Sequence, residues 1–184
     1  MTIDDSWYEI VDGQNLEQGD LIGQCPVYIP EYSTSIVEEP EAEKNLTYAI
    51  TAKEYTYDVV IMTQSCDLGN GKVQSVVLCA YWSLDEMISQ NEKLRPKKMQ
   101  EKIRQGYLPN LYMLNKCTLK ERAQGIQIID FRMVFTVPHD FLRQFAGFQG
   151  KRLRLRSPYK EKMSQAFGSF FARVGLPKDI PSFA

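Results

Sequence analysis

The chain has a single histidine and no long apolar run, and these two shortages exclude several classes of protein. Its four cysteines are far apart in the sequence and fit no usual spacing of zinc ligands, so we predict no metal site. No segment approaches the roughly 20 apolar residues of a membrane helix, and the start of the chain does not resemble a signal peptide, so we expect a cytoplasmic protein. It also lacks a glycine-rich phosphate loop and a dinucleotide fingerprint, so we expect no cofactor.

Basic residues are missing from residues 1–43, which contain eleven acids and neither Lys nor Arg. The rest of the chain contains all 22 basic residues and 12 acids, although the net charge of the whole chain is only −1. This asymmetry has two interpretations. The basic body suits an anionic partner, such as nucleic acid or an acidic protein. Alternatively, the acidic leader and the basic body pack together and neutralise each other.

The length of 184 residues suits one domain, residues 1–184. Apolar alternation and β-branched residues predict strands at 7–11, 21–29, 47–52, 57–64, 73–82, 126–137 and 151–156. Residues 30–46 are acidic, contain two prolines and predict an exposed loop. We therefore expect an α+β fold, a small SH3-like β-barrel with helical additions and a C-terminal amphipathic helix.

Two helix starts can be predicted from local signals. Ser83 with Glu86 three residues later forms a capping box, and Ser157 followed by Pro158 caps the last helix. Apolar residues of that last helix recur with helical spacing from Met163 onward, and Gly175 predicts its end.

The sequence Thr-Gln-Ser-Cys-Asp at residues 63–67 ends the predicted buried strand at 57–64. Gln64 and Asp67 would suit contact with a polar ligand at the rim of a pocket. Alternatively the stretch is structural, because Ser65 and Asp67 can accept backbone N–H bonds in a turn. A third hypothesis makes Cys66 a nucleophile and His139, the only imidazole of the chain, its base.

Alternation in the sequence Lys-Arg-Leu-Arg-Leu-Arg at residues 151–156 predicts a strand with leucines on one face and arginines on the other. Arg152, Arg154 and Arg156 would then be spaced by roughly 6.6 Å, and Tyr159 would add a ring for stacking. Such a face suits phosphates, but pairing of the arginines with the acidic leader is an equally good interpretation. A second basic cluster, within residues 93–104, is more typical of a solvated helix face than of a specific site.

Residues 63–67 and the sequence Arg-Leu-Arg-Leu-Arg-Ser-Pro-Tyr at 152–159, followed by Arg-Val-Gly-Leu-Pro at 173–177, resemble an uncharacterised family of bacterial proteins scattered among genomes and mobile elements. This resemblance implies a bacterial, cytosolic protein linked to mobile elements or phage defence, and it carries no activity. Residues 18–22 and 58–64 also resemble the first strands of the MazF/PemK toxins, which are SH3-type barrels that cut RNA. Those toxins place a catalytic arginine between the two strands, and residues 21–58 contain none.

These observations favour a non-enzymatic binding module whose arginine strand contacts nucleic acid or another anionic partner. The first alternative is a MazF/PemK-like endoribonuclease in which Arg152 or Arg154 holds the scissile phosphate. The lesser alternative is a hydrolase that uses Cys66 and His139.

Overall fold

The computed structural model describes residues 7–37 and 45–172, and it is a mixed α+β fold, as predicted. Its strands are β1 (Tyr8–Val11), β2 (Leu21–Val37), β3 (Asn45–Ile61), β4 (Ser75–Ser83), β5 (Leu111–Leu114), β6 (Gln127–Pro138) and β7 (Arg152–Leu155). Its helices are α1 (Ser65–Gly69), α2 (Leu84–Gln90), α3 (Lys97–Arg104), α4 (His139–Gln149) and α5 (Tyr159–Phe171).

Five strands form an antiparallel sheet in the order β2-β3-β4-β6-β5, and β1 pairs separately with β7. Within the described residues β2 and β5 are the two edges of the sheet and do not pair with each other, so the predicted closed barrel is wrong. The physical reason is that β1 and β7 pair with each other and do not join the two edges.

The sheet is covered on both faces because alternate residues of β3 enter different cores. Val60 packs in a core with Met163 of α5 and Leu153 of β7. Val59 packs in a second core with Leu142 of α4. The helices α4 and α5 therefore lie on opposite faces of the sheet.

The acidic segment 30–46 is largely strand, which corrects the prediction of a loop there. β2 continues to Val37 and β3 begins at Asn45, and residues 38–44 lie outside the described residues. Pro30 pairs opposite Ala52 in this hairpin. Proline is tolerated because β2 is an edge strand, where a missing N–H breaks no ladder bond.

Of the two predicted helix starts, the one at Ser83 is confirmed and the cap at Ser157 is not. The predicted capping box is confirmed, since Ser83 N donates to Glu86 Oε2 at 2.8 Å and Glu86 N donates to Ser83 Oγ at 3.2 Å. The Glu86 carboxylate also accepts a hydrogen bond from Ser83 Oγ at 2.6 Å, and this bond, with the one from Ser83 N, lowers the pKa of Glu86. The last helix is present with Met163 fully buried, but the predicted cap at Ser157 is wrong: the N-cap is Pro158, which makes no side-chain cap bond, and Ser157 Oγ instead donates to Glu161 Oε1 at 2.6 Å. The predicted end at Gly175 lies outside the described residues.

Candidate functional site

The two arginines of β7 are buried, which favours the second of the two interpretations of this strand, pairing with the acidic leader. Leu153 and Leu155 point into one core, as the alternation predicts, but Arg152 and Arg154 on the other side are also buried. Both guanidinium groups bind Asp20, a fully buried carboxylate of the acidic leader. Arg152 Nε lies 2.8 Å from Asp20 Oδ2, and Arg154 Nη2 lies 3.0 Å from the same oxygen. The alternative of internal neutralisation therefore holds for these two arginines.

Asp20 can reach both guanidinium groups because of the turn that precedes it. Gly19 has a φ of 87°, and an added Cβ there would lie 2.9 Å from the Cβ of Leu155. Only glycine fits such a close approach at positive φ. Burial opposes the charge of Arg154, but the hydrogen bond and the charge of Asp20 raise the pKa of this guanidinium above its usual value.

The remaining N–H groups of the two arginines hold the segment 13–17. Arg152 Nη1 donates to Gly13 O at 2.7 Å, and its Nη2 donates to Asn15 O. Arg154 Nη2 donates to Asn15 O at 2.9 Å, and its Nη1 donates to Glu17 Oε1 at 2.8 Å. The β7 arginines thus position a loop, and their fork-shaped donors leave none of these groups free for a phosphate.

The stretch at residues 63–67 combines structural side chains with exposed ones. Thr63 Oγ1 accepts a hydrogen bond from Val77 N at 2.8 Å, and Ser65 Oγ accepts one from Gln18 N at 3.1 Å. Gln18 Nε2 in turn donates to Met62 O at 2.7 Å. Part of the polar stretch after β3 is therefore structural, because it is hydrogen-bonded to Gln18 in the turn that carries Asp20.

Cys66 is the exposed thiol of the chain, and its neighbours are local. Its Sγ lies 3.6 Å from Gln64 Oε1 and 3.7 Å from Asp67 Oδ1. The other three cysteines are buried.

Cys66 and His139 line the same cavity, which has a volume of about 990 Å³. The antiparallel register pairs Ser75 with Pro138, and His139 N donates to Gln74 O at 2.8 Å. This register sets the amino end of α4 beside the connection between α1 and β4. The side chains that could contact a ligand there are Glu17, Ser65, Cys66, His139, Asp140 and Arg143.

The electrostatics of the cavity favour an anion on the α4 side. Glu17 is neutralised, because its Oε1 binds Arg154 and its Oε2 lies 3.2 Å from Lys160 Nζ. Arg143 is exposed, and within the described residues it forms no ion pair. The N-cap of α4 is Pro138, which makes no side-chain cap bond, so the helix dipole adds positive potential at this end. Asp140 in the first turn offsets part of it.

The other predicted ligand contacts are dispersed. Gln64 lines a neighbouring open cleft of about 530 Å³, which shares Ser65 and Cys66 with the cavity, and Asp67 lines neither of the two. Tyr159 stacks on Trp7, with ring centroids 3.9 Å apart, so its ring already has a partner. Arg156 alone of the three predicted arginines is exposed.

A second cationic cluster surrounds α3 and is exposed. Arg95 and Arg104 pair with Glu92 and Glu101 at 3.1 and 2.5 Å. The four lysines of this region are exposed and form no ion pair within the described residues. We call this set the basic helix surface: Lys93, Lys97, Lys98 and Lys102.

Sequence reasoning missed Asp20, Glu17 and Arg143 as parts of a site. A signal for Asp20 existed in the opposite charges of the leader and the arginine strand, but it did not identify which acid pairs with which arginine. Arg143 gave no signal, because a lone arginine in a short helix is ordinary.

Comparison with known proteins finds no matching family model, no matching curated protein and no matching solved structure. Both resemblances noted from the sequence therefore stay predictions. Among residues 7–37 and 45–172, no helix is both long enough and apolar enough to cross a bilayer. The same residues hold no group of three or more acidic, His or Cys side chains arranged to bind a metal ion.

Proposed function

We propose that this protein is a non-enzymatic binding module for an anionic ligand, which it holds in the cavity between α1 and the amino end of α4. One observation carries the proposal: His139 and Arg143 lie on the cavity wall at a helix start that has no side-chain cap. Nucleic acid is the first ligand class to test, because the sequence predicts nucleic acid as an anionic partner. The proposed contact surface lies at α4, whereas the sequence predicted it on β7.

Binding is favoured over catalysis by the surroundings of the thiol. The Sγ of Cys66 contacts Gln64 and Asp67, and within the described residues it forms no hydrogen bond with His139. A thiol nucleophile needs a base within hydrogen-bond reach. A binding site needs only convergent polar groups in a concave surface, which the cavity provides.

The test is the binding of labelled single-stranded RNA and duplex DNA over a salt series, with the products then run on a gel. We expect intact nucleic acid and salt-sensitive binding, with a slope of about −0.7 to −0.9 for each phosphate contacted. Arg143→Gln with His139→Gln should weaken binding by about tenfold or more. Arg156→Gln is the matched control, because it removes an exposed arginine outside the cavity.

Two results would contradict this proposal. Binding that survives the cavity variant but is lost when the basic helix surface is neutralised would move the site to α3. No binding of either nucleic acid at low salt would exclude nucleic acid, and calorimetry with inorganic phosphate and nucleoside monophosphates would then decide whether the cavity binds any anion.

A Cys–His hydrolase is the second candidate, because Cys66 and His139 line one cavity. In that reaction His139 would take the thiol proton, the sulfur would attack an acyl carbon, and the proton would pass to the leaving group before water releases the acyl chain. A panel of esters and thioesters tests this hypothesis. Hydrolysis that Cys66→Ser and His139→Gln both abolish would establish it, and a rate unchanged by Cys66→Ser would exclude it.

The MazF/PemK-like ribonuclease with its SH3-like barrel receives less support. Arg152 and Arg154, which would hold the scissile phosphate, are bound to Asp20. Cleaved RNA on the same gel would restore this alternative. A cytoplasmic location and a bacterial setting in mobile elements or phage defence are further proposals, which depend on the sequence alone.

A further inference from the structure

The hairpin of β2 and β3 extends far beyond the sheet. β3 pairs with β4 only from Val59 to Ile61, whereas β2 and β3 stay paired with each other out to Val37 and Asn45. We call residues 26–37 and 45–56 the β-arm. It reaches about 40 Å, at about 3.3 Å a residue. A two-stranded ribbon is marginally stable in water without packing against another element.

One face of the β-arm is exposed and mostly apolar, with Glu54 as its acid. Residues two apart on a strand, and residues directly opposite in the register, share a face. Tyr28, Pro30 and Tyr32 of β2 therefore lie on the same face as Ala52 and Ile50 of β3, together with Glu54, whose Oε2 accepts a hydrogen bond from Tyr28 Oη at 2.7 Å. Tyr28, Tyr32 and Ile50 are 64, 67 and 55 % exposed. A contiguous apolar face of this kind marks an interaction surface.

The acidic composition of the β-arm indicates a basic partner for this face. The sequence 26–56 contains six Glu and two Lys, and the rest of the chain has an excess of basic residues. Glu31 and Glu54 of the β-arm are exposed. A basic surface with room for aromatic contacts is the matching partner. The chain itself has such a surface in the basic helix surface, near Tyr107, which is 70 % exposed.

The topology places the β-arm and α3 at one end of the sheet but on opposite edges. Val59 pairs with Ala80, so the β-arm extends past the end of β4 from which α2 begins. The core that holds α3 includes Leu111 of β5, the other edge strand. A two-fold axis normal to the sheet at this end exchanges the two edges. It therefore sets the β-arm of each copy against the α3 of the other.

We propose that a second copy of this chain occupies the apolar face of the β-arm through its basic helix surface, forming a two-fold dimer with two such contacts. Lysine ammonium groups pack on the rings of Tyr28 and Tyr32, and Glu54, which lies opposite Tyr28 on the same face, forms an ion pair with a lysine of the partner copy. This dimer is independent of the proposed ligand cavity, because the cavity lies at the opposite end of the sheet, where Ser75 pairs with Pro138.

The test is sedimentation equilibrium of the full chain at about 0.1 M and about 1 M salt. We expect a dimer whose dissociation constant rises with salt. The arm variant is Tyr28→Ser with Tyr32→Ser and Ile50→Ser. The helix variant replaces with Gln the four residues Lys93, Lys97, Lys98 and Lys102. Each variant should raise the dissociation constant by about tenfold or more.

A mixing experiment tests the pairing itself. The arm variant retains an intact basic helix surface and the helix variant an intact β-arm, so a mixture of the two should form a heterodimer with one contact, although each variant alone is a monomer. A matched control variant replaces with Gln four exposed lysines elsewhere: Lys72, Lys116, Lys120 and Lys162. It should dimerise like the wild type, and circular dichroism of every variant checks that the exposed substitutions leave the fold unchanged.

Four outcomes would overturn the proposal. A wild-type chain that stays monomeric shows that the second copy is not the occupant. A dimer that tightens with salt indicates apolar arms packed on each other and not on lysines. A dimer unaffected by either variant uses another surface. Variants that remain monomeric when mixed show that the β-arm and the basic helix surface do not pair.

Discussion

The arginines of β7 and the lysines of the basic helix surface are both dense cationic clusters in the sequence, but the fold uses them differently. Arg152 and Arg154 are enclosed and share one buried carboxylate, Asp20. The four lysines around α3 are exposed and form no ion pair in the part of the chain that the structure describes. A cationic cluster thus stabilises the interior when the fold buries an acid beside it, and it remains an exposed surface when no such acid is buried there.

The contrast also assigns different roles to the two ends of the sheet. At one end the β7 arginines fix residues 13–17, and this loop forms a wall of the cavity beside α4. At the other end the basic helix surface is free to meet a partner. Charges at the first end therefore contribute to folding, whereas in the proposed dimer charges at the second end contribute to association.

The largest effect should come from removing the shared carboxylate. Asp20→Asn leaves two buried guanidinium groups without their counter-ion, and we expect the free energy of unfolding to fall by about 3–5 kcal/mol. Urea unfolding followed by circular dichroism measures this. Asp140→Asn is the control, since Asp140 is exposed at a helix start, and should cost less than about 1 kcal/mol. If both variants lose the same free energy of unfolding, the buried Asp20 contributes no more to stability than the exposed Asp140.

The second prediction compares two arginines that are two residues apart. Arg154→Lys retains the charge but loses the fork that reaches Asp20, Glu17 and Asn15, and should cost about 2 kcal/mol. Arg156→Lys changes an exposed side chain and should change the free energy of unfolding by less than about 0.5 kcal/mol. The two unfolding midpoints in urea are compared. If Arg154→Lys is as stable as Arg156→Lys, the buried cluster around Asp20 is stabilised by charge alone and not by hydrogen-bond geometry.

The third prediction extends the comparison from cations to thiols. Burial raises the pKa of Cys25 to about 11 and, with the charge of Asp130, that of Cys79 to about 12. The thiolate is the reactive form, so both thiols should be inert at neutral pH, and buried Cys117 is shielded from the reagent. In the native protein a thiol reagent should therefore modify Cys66 alone, and all four cysteines should react after unfolding. Cys66→Ser should abolish the fast phase. A native chain that reacts at two or more sites would show that the core opens readily.

Features set by neighbouring residues could be predicted from the sequence. The capping box at Ser83 needs only four consecutive residues, and the buried strands β3 and β4 follow from β-branched runs. The β-arm was missed because Pro30 and the glutamates suggest a loop. An edge strand tolerates both, and only the partner strand reveals the pairing.

Features that join distant segments could not be predicted in the same way. The sequence left two interpretations for the β7 arginines, and the choice depends on the bridge that sets Asp20 opposite Arg154. Likewise, Cys66 and His139 were candidates separately, but their shared cavity depends on the register of β4 with β6. The register of a strand pair depends on the burial of whole strands, so it cannot be predicted from single residues.

The smallest effect on stability should come from neutralising the basic helix surface, that is, from replacing Lys93, Lys97, Lys98 and Lys102 with Gln. Exposed, unpaired lysines contribute little to folding, so the free energy of unfolding should change by less than about 1 kcal/mol in total. Removing four like charges also relieves repulsion, which opposes any loss. Urea unfolding at a concentration below the dimer dissociation constant isolates this term from association. A loss of about 3 kcal/mol or more would mean that these lysines support the fold as the β7 arginines do, and the contrast between the two clusters would fail.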